Sequence, residues 1–321
     1  MIGPQHTPVV HALYGIRIRT PWPVKGVRVT DGPWDVEFVE GDEDRLANAA
    51  SYVPDEQSSS WSQYAALPDG SHYRRWADLF EFLVTPDARR IHARTLTAVE
   101  DEAMLAYLLV DALSFSMVRL GWEPLHATAV DTTSGLVAFL GNSGAGKSTL
   151  AAAFVQGRAR LVTDDMLILT RAGSGWLAQS GPPRIKLFRT MSRHIFGSDR
   201  GGIPMNAVTE KLIIPLDAQQ MTETPRAVAG LYILGDVEHN RTQSPVIQQL
   251  SPASAFPKLL ANTAGHYPSE PERLSRQLQF ASRLVSDVPV KTLSYRRNTD
   301  EIFLVRDAVL ADLERSTETA G

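Results

Sequence analysis

The chain has no cysteine. That absence excludes disulfides, thiolate nucleophiles and cysteine-ligated metal centres, and it fits a reducing compartment. Long apolar runs are also missing. The longest, Met104 to Val118, is interrupted by Asp111 and is shorter than the roughly 20 residues a membrane helix needs. There is no excess of basic charge: 32 Lys and Arg stand against 36 Asp and Glu, for a net charge of −4. No global field for nucleic acid follows from that balance. Met1 to Val10 lacks the charged-then-apolar pattern of a secretory signal. The expectation is a cytoplasmic protein with no nucleic-acid or membrane partner. Its 321 residues suffice for two domains, and no internal repeat is evident.

What is present is a phosphate-binding signature. Gly141-Asn142-Ser143-Gly144-Ala145-Gly146-Lys147-Ser148 reads G-x-x-x-x-G-K-S. Glycines let the backbone turn so that successive N–H groups face phosphate oxygens. Lys147 supplies a point charge for the β- and γ-phosphates, and the Ser148 hydroxyl suits Mg²⁺. The context agrees. Leu136 to Leu140 is a continuous apolar run, as a buried strand should be. Thr149 to Gln156 consists mostly of good helix formers, and Gly157 sits where a helix C-cap belongs. Strand, glycine loop and helix N-terminus in that order form an anion site.

The organisation is mixed. Residues 1–96 read as a smaller β-rich domain resembling an antiparallel sheet. Tyr14 to Arg19 and Trp34 to Val39 alternate, and Thr85 to Ala88 is a turn between strands Leu79–Val84 and Arg90–Leu96. Residues 41–60 are polar and read as a long loop. Residues 97–315 form the expected catalytic domain, with 316–321 a flexible tail. A capping box at Thr97–Glu100 predicts a helix over Met104–Leu120, buried between layers. Ser269 and Asn298 read as N-caps of helices near 270–286 and 299–315, with a strand at Val288–Leu293 between them.

A phosphate site that transfers phosphate also needs an acidic group on a neighbouring strand. Leu161-Val162-Thr163-Asp164-Asp165 offers one. In an extended chain adjacent side chains point to opposite faces, so one carboxylate would face a metal and the other an incoming hydroxyl, as a general base. The same pair also reads as a solvated turn. His126, in an apolar strand ahead of the P-loop, is either a satisfied core residue or part of the phosphate site.

Leu125-His126-Ala127-Thr128, Gly141–Ser148 and Val162-Thr163-Asp164-Asp165, in that order, resemble the catalytic domain of HPr kinase/phosphorylase. The whole layout looks more like the divergent HPr-kinase-like proteins among which lasso-peptide precursor kinases phosphorylate a serine, and Tyr14–Ile18 and Val288–Val290 are short stretches similar to that group. It implies an α/β fold with a phosphoenolpyruvate-carboxykinase-like P-loop kinase domain. It also implies ATP, Mg²⁺ and transfer of the γ-phosphoryl group to a serine hydroxyl of a peptide or protein. By that resemblance Gly141, Asn142, Ser143, Gly144, Ala145, Gly146, Lys147, Ser148 and Thr149 bind nucleotide. Ser148 and Asp164 hold Mg²⁺, and Asp165 is the base, although the two aspartates could exchange roles. His126, Lys147 and Arg184 complete the catalytic set. Thr149 stands where the family has glutamate, and the family's second, Gly- and Arg-containing signature is absent from its expected place.

Pro182 to Arg189 sets Arg184 and Lys186 on one strand face, where either could meet the transferring phosphate or lie on a solvated surface. Lys211 is a similar candidate. Ser192–Gly202 reads as a mobile loop able to close over an acceptor. Tyr295-Arg296-Arg297 reads as surface, and Arg74-Arg75 and Arg89-Arg90 as attractors for an acidic peptide. The alternatives to a peptide kinase are a kinase of a small hydroxylated metabolite and a nucleotide sensor without transfer. The residues do not choose between ATP, GTP and pyrophosphate, and they leave homo-oligomer formation open.

Overall fold

The computed structural model describes residues 7–235, 245–263, 271–296 and 298–318. Ser269, Arg297 and residues 319–321 of the expected tail lie outside the described residues. Contacts divide the chain into two units, Met1–Trp122 with Pro204–Thr209, and Glu123–Ile203 with Glu210–Gly321. The division thus falls after Trp122, not near residue 96. Both units are mixed α/β structure. Among the described residues no helix is long and apolar enough to cross a membrane.

The first unit holds β1 (Val9–Leu13), β2 (Ile16–Thr20), β3 (Val29–Thr30), β4 (Val36–Glu40), α1 (Glu43–Ala50), β5 (Ser62–Ala66), β6 (His72–Trp76), β7 (Phe80–Val84) and β8 (Arg90–Thr95). They form one eight-stranded sheet in the order β3-β1-β2-β4-β8-β7-β6-β5. The β1–β2 hairpin turns at Tyr14 and Gly15, both with left-handed backbone, the geometry that matches strand twist. The sheet is not wholly antiparallel, because β4 pairs parallel with both β2 and β8. Part of the expected loop 41–60 is α1. Asp42 caps it by accepting from the Arg45 amide at 2.9 Å, and Leu46 and Ala49 pack with Tyr73 and Leu83. Two buried positions in a polar stretch are too few to show a helical period.

The apolar helix also belongs to this unit, as α2 (Asp101–Tyr107), a π turn (Leu108–Ala112) and α3 (Leu113–Arg119). Glu100 is its N-cap residue, without a side-chain cap bond, so the expected Thr97 box does not form. Tyr107 lies 4.7 Å from Phe80 and 5.2 Å from Trp76, and Phe115 lies 4.0 Å from His72, ring centre to ring centre. Those contacts pack it on its own sheet.

The second unit contains β9 (Ala127–Thr132), β10 (Gly135–Leu140), α4 (Lys147–Gln156), β11 (Arg160–Thr163), β12 (Leu169–Ala172), β13 (Gly175–Ala178), β14 (Arg184–Phe188) and α5 (Arg189–Phe196). After β15 (Ile203–Pro204), at the boundary of the units, come β16 (Lys211–Pro215), β17 (Arg226–Leu234), β18 (Val246–Gln249), α6 (Pro252–Leu260), α7 (Pro271–Asp287), β19 (Val290–Ser294) and α8 (Ile302–Glu318). The main sheet runs β11-β9-β10-β17-β13-β12, with β19 beside β17 and β18 beside β19. Its residues alternate between two cores. Val137 and Phe139 of β10 pack with Leu150 and Phe154 of α4 and Val305 and Val309 of α8. Leu136, Ala138 and Leu140 pack with Leu259 of α6 and Leu284 of α7. The period of two thus seats helices on both faces.

Register positions the site. In the antiparallel β9–β10 pair Ala127 lies opposite Leu140, so His126 meets the start of the glycine loop. On the other side of β9, Thr163 of β11 lies opposite Ala129, which brings the aspartate pair to the same edge. Away from that edge, Lys291 donates to Asp312 at 2.6 Å and Tyr232 donates to the same oxygen at 2.6 Å, tying α8 to the sheet. Lys291→Met removes one partner of a buried pair and should lower stability by about 3 kcal/mol. The shift in urea midpoint at constant m-value measures it.

Candidate active site

Gly141 to Ser148 follow β10 and enter α4. Gly141, Gly144 and Gly146 have φ of 145°, 78° and 94°, a region closed to most side chains. Gly146 is constrained twice, because a Cβ there would lie 3.1 Å from the Tyr295 hydroxyl. The amides of Lys147, Ser148 and Thr149 open α4 and have no carbonyl one turn back within the helix, a geometry that can donate to an anion. Two other amides of the expected cradle are committed internally. Gly141 N–H donates to Asn262 Oδ1 at 2.7 Å, and Ala145 N–H donates to the Asn142 carbonyl at 3.0 Å. Asn142, Ser143 and Gly144 are exposed at the tip.

Lys147 is buried, and its ammonium sits inside the loop. It donates to the carbonyls of Gly141 at 2.6 Å and Asn142 at 3.0 Å, and it lies 3.0 Å from His126 Nε2. His126 Nδ1 lies 3.1 Å from the Asp165 carbonyl. A carbonyl only accepts, so Nδ1 carries the proton and Nε2 accepts from Lys147. The imidazole is therefore neutral and bridges the loop lysine to the aspartate turn. Burial, reinforced by the Lys147 charge, lowers the His126 pKa below 6.5. Burial likewise draws the Lys147 ammonium below the ordinary lysine range, against the opposing pull of Asp165 and Asp164.

The two aspartates diverge, but not as alternating strand residues. β11 ends at Thr163, and Asp165 has a left-handed φ of 68°. The Met166 amide donates to the Asp164 carbonyl at 3.0 Å, closing a turn. Asp164 is buried and accepts Thr128 Oγ1–H at 2.7 Å and Ser148 Oγ–H at 2.8 Å on one oxygen, and the Lys186 amide at 2.9 Å on the other. Burial, then the charge of Asp165, pushes its carboxyl up. Asp165 meets Lys186 Nζ at 2.8 Å. Burial works to raise Asp165 too, but the Lys186 ammonium outweighs it and holds the carboxyl well below the usual carboxylate range. The oxygens around Asp164 suit a hard cation. Among the described residues no group of three or more His, Asp and Glu forms an all-protein metal cage. Mg²⁺ itself takes one or two carboxylates and completes its shell from phosphates and water.

Other residues fall differently from expectation. Arg184 and Lys186 are 4% and 8% exposed, so their shared face of β14 is interior and not solvated. Lys186 is the one seen closing on Asp165. Lys211 begins β16 opposite Phe188, with its ammonium 5.3 Å from that ring. The segment Ser192–Gly202 is not a free loop. It contains the end of α5, and Asp199 is held by Arg189 and by Arg193 Nε at 2.8 Å. Tyr295 is buried against the loop, not on the surface. In the first unit Arg75 reaches Ala77 O at 2.7 Å and Arg90 reaches Glu37 at 2.8 Å, which leaves those arginine pairs a weaker attraction for acidic peptide than their sequence suggests. Asn262, just past α6, went unread. Its side chain accepts from Gly141 N–H and donates to Lys258 O at 2.8 Å, while its carbonyl accepts from His126 N–H at 2.7 Å. A buried Asn more than a hundred residues from the loop gives no local signal.

The neutral His126 has a measurable consequence. Its folded pKa lies below the unfolded value of 6.5. Its contribution to stability is therefore fully present above about pH 6.5 and is lost as pH falls through the lower folded value. Imidazole nitrogen chemical shifts should show the Nδ1–H tautomer at pH 7 and a midpoint below 6.5. Lys147→Met should move that midpoint upward.

No protein-family model matches the chain, and no curated protein matches its sequence. Among solved structures, the Hpr(Ser) kinase/phosphatase from Coxiella burnetii is similar to it with a TM-score of 0.36 and 13% identity, over 62% of this chain and 99% of that one.

Proposed function

We propose that the protein is a kinase that transfers the γ-phosphoryl group of ATP, with Mg²⁺, to a serine hydroxyl of a peptide or protein. The acceptor we favour is a ribosomally made precursor peptide of the lasso type. The catalytic unit on this reading is a phosphoenolpyruvate-carboxykinase-like domain of the HPr-kinase kind. One observation carries the reading. The P-loop hydroxyl of Ser148 shares an oxygen of Asp164, while the next carboxylate, Asp165, turns away onto its own cation. A phosphate binder needs the first arrangement. The second supplies a proton acceptor beside it.

Lys147 and the amides opening α4 bind the β- and γ-phosphates. Ser148 and Asp164 hold Mg²⁺, which supplies charge neutralisation for the phosphates. Asp165 takes the serine Oγ–H proton as that oxygen bonds to the γ-phosphorus. The bond from that phosphorus to the bridging oxygen breaks, and its electron pair leaves with ADP. On this reading Lys186 and Arg184, on one face of β14, would supply the positive charge that favours the equatorial oxygens. His126 holds Lys147 and the Asp165 backbone in register.

Asp165→Asn keeps the shape and removes the base. It should cut transfer by about 10² to 10⁴ while nucleotide affinity stays within about twofold. Lys147→Ala should weaken nucleotide affinity itself, by about tenfold or more. The assay is mass gain of one phosphate on a serine-containing peptide, alongside calorimetric nucleotide titration. Full transfer by Asp165→Asn removes the assignment of the base. Transfer to a metabolite extract with none to any peptide removes the acceptor class.

A further inference from the structure

The β9–β10 ladder ends at Ala127 and Leu140. One position further along each strand stand His126 and Gly141, and both of their amides go to Asn262. Gly141 N–H donates to Asn262 Oδ1 at 2.7 Å, and His126 N–H donates to the Asn262 carbonyl at 2.7 Å. The same two residues supply two of the three described acceptors of Lys147, the Gly141 carbonyl at 2.6 Å and His126 Nε2 at 3.0 Å. Asn262 therefore reaches the loop ammonium by two routes, each one residue long.

The residue type follows from its partners. An N–H needs an acceptor and a carbonyl needs a donor, and one planar amide offers both. Asn262 Nδ2 donates to the Lys258 carbonyl at 2.8 Å, and the Asn262 amide donates to the Leu259 carbonyl at 2.9 Å. Both carbonyls belong to the last turn of α6, where the helix itself provides no donors. Leu259 is buried in one core with Leu136 and Leu140 of β10. That core fixes α6, α6 fixes the Asn262 side chain, and the side chain meets the loop. Asn262 is 8% exposed, so water is a poor substitute for its oxygen.

At the other end of the bond stands a glycine. Gly141 has φ of 145°, one of many conformations open to a residue without a side chain. Asn262 holds the peptide plane before it, and Lys147 holds the carbonyl after it. The loop is thus pinned on both sides of a residue that otherwise turns freely. Releasing the first anchor lets the plane rotate and carries the carbonyl away from the ammonium.

We infer that Asn262 is the positioning residue of Lys147, its side-chain oxygen and its carbonyl holding the two residues that keep the ammonium in the loop. That the ammonium is placed there for nucleotide phosphate rests on the kinase reading above. Asn262→Ala keeps the backbone carbonyl that holds His126 and removes the acceptor of Gly141, so a change at His126 Nε2 reports Lys147. The test uses the full-length protein. In Asn262→Ala the imidazole Nε2 chemical shift should move in the direction in which Lys147→Met moves it. Calorimetric affinity for ATP should fall by about fivefold or more. With Lys147→Met already present the fall should be less than about twofold, because residues that act through one another are not additive. Asn262→Asp keeps an oxygen for Gly141 and loses the donor to Lys258. It should lower the urea midpoint yet leave the Nε2 shift close to its wild-type value, and it decides the matter where the alanine variant does not fold. An unmoved Nε2 shift in Asn262→Ala, additive losses of affinity, or a moved shift in Asn262→Asp overturns the inference. A moved shift in Asn262→Ala with no ATP binding by the unaltered protein upholds it and removes the kinase reading. ATP binding that stays at full affinity in Asn262→Ala does the reverse.

Discussion

The buried carboxylate of Asp164 is the constraint on which the site depends. A charge removed from water is tolerated only when paired or well hydrogen-bonded. Here three donors converge on it: Thr128 from β9, Ser148 from the first turn of α4, and the Lys186 amide from β14. No two of those come from the same element. Satisfying one carboxylate therefore fixes the relative positions of a strand, the helix that follows the glycine loop and the strand that carries the second cation. The turn at Asp165 then has little freedom left, and its left-handed backbone aims the neighbouring carboxylate at Lys186.

A second set of bonds works on the other side of the loop. Asn262 takes the first loop amide with its side chain and the His126 amide with its carbonyl. The imidazole continues the chain to Lys147 and to the aspartate turn. His126, Lys147, Asp164, Asp165 and Lys186 are thus each held by backbone or by another group of the site. That kind of support keeps a site within the small tolerances that transfer requires.

What could be read from sequence was what is local. The loop shows itself because glycines, lysine and serine must sit at fixed spacing to cradle phosphate, and the continuous apolar run of β10 shows a strand buried on both faces. Asp164 and Asp165 were readable as a pair, but not their geometry. The divergence comes from a turn, and nothing in two adjacent aspartates distinguishes that turn from an extended end. Lys186 was readable only as one of two cations on a strand face. Its partner lies 21 residues away across the fold. Asn262 and Tyr295 carry no local pattern at all. In the first unit α1 was lost for a related reason. Its buried face is two residues wide, and the capping Asp42 lies among other acids. The antiparallel expectation failed at β4, where both partners come from distant segments.

The lysine of the loop is already well provided for. Two carbonyls and an imidazole accept from Lys147. A ligand must therefore outcompete three acceptors instead of filling a gap. Measured affinity is then an exchange energy, the small remainder of two large and opposing ones. Ligands with one weakly charged oxygen gain almost nothing by the exchange, whereas a polyphosphate gains on several oxygens at once. On the proposed function, the same contact that shelters the ammonium would thus act as a discriminator, turning a modest difference in charge between ligands into a steep difference in occupancy.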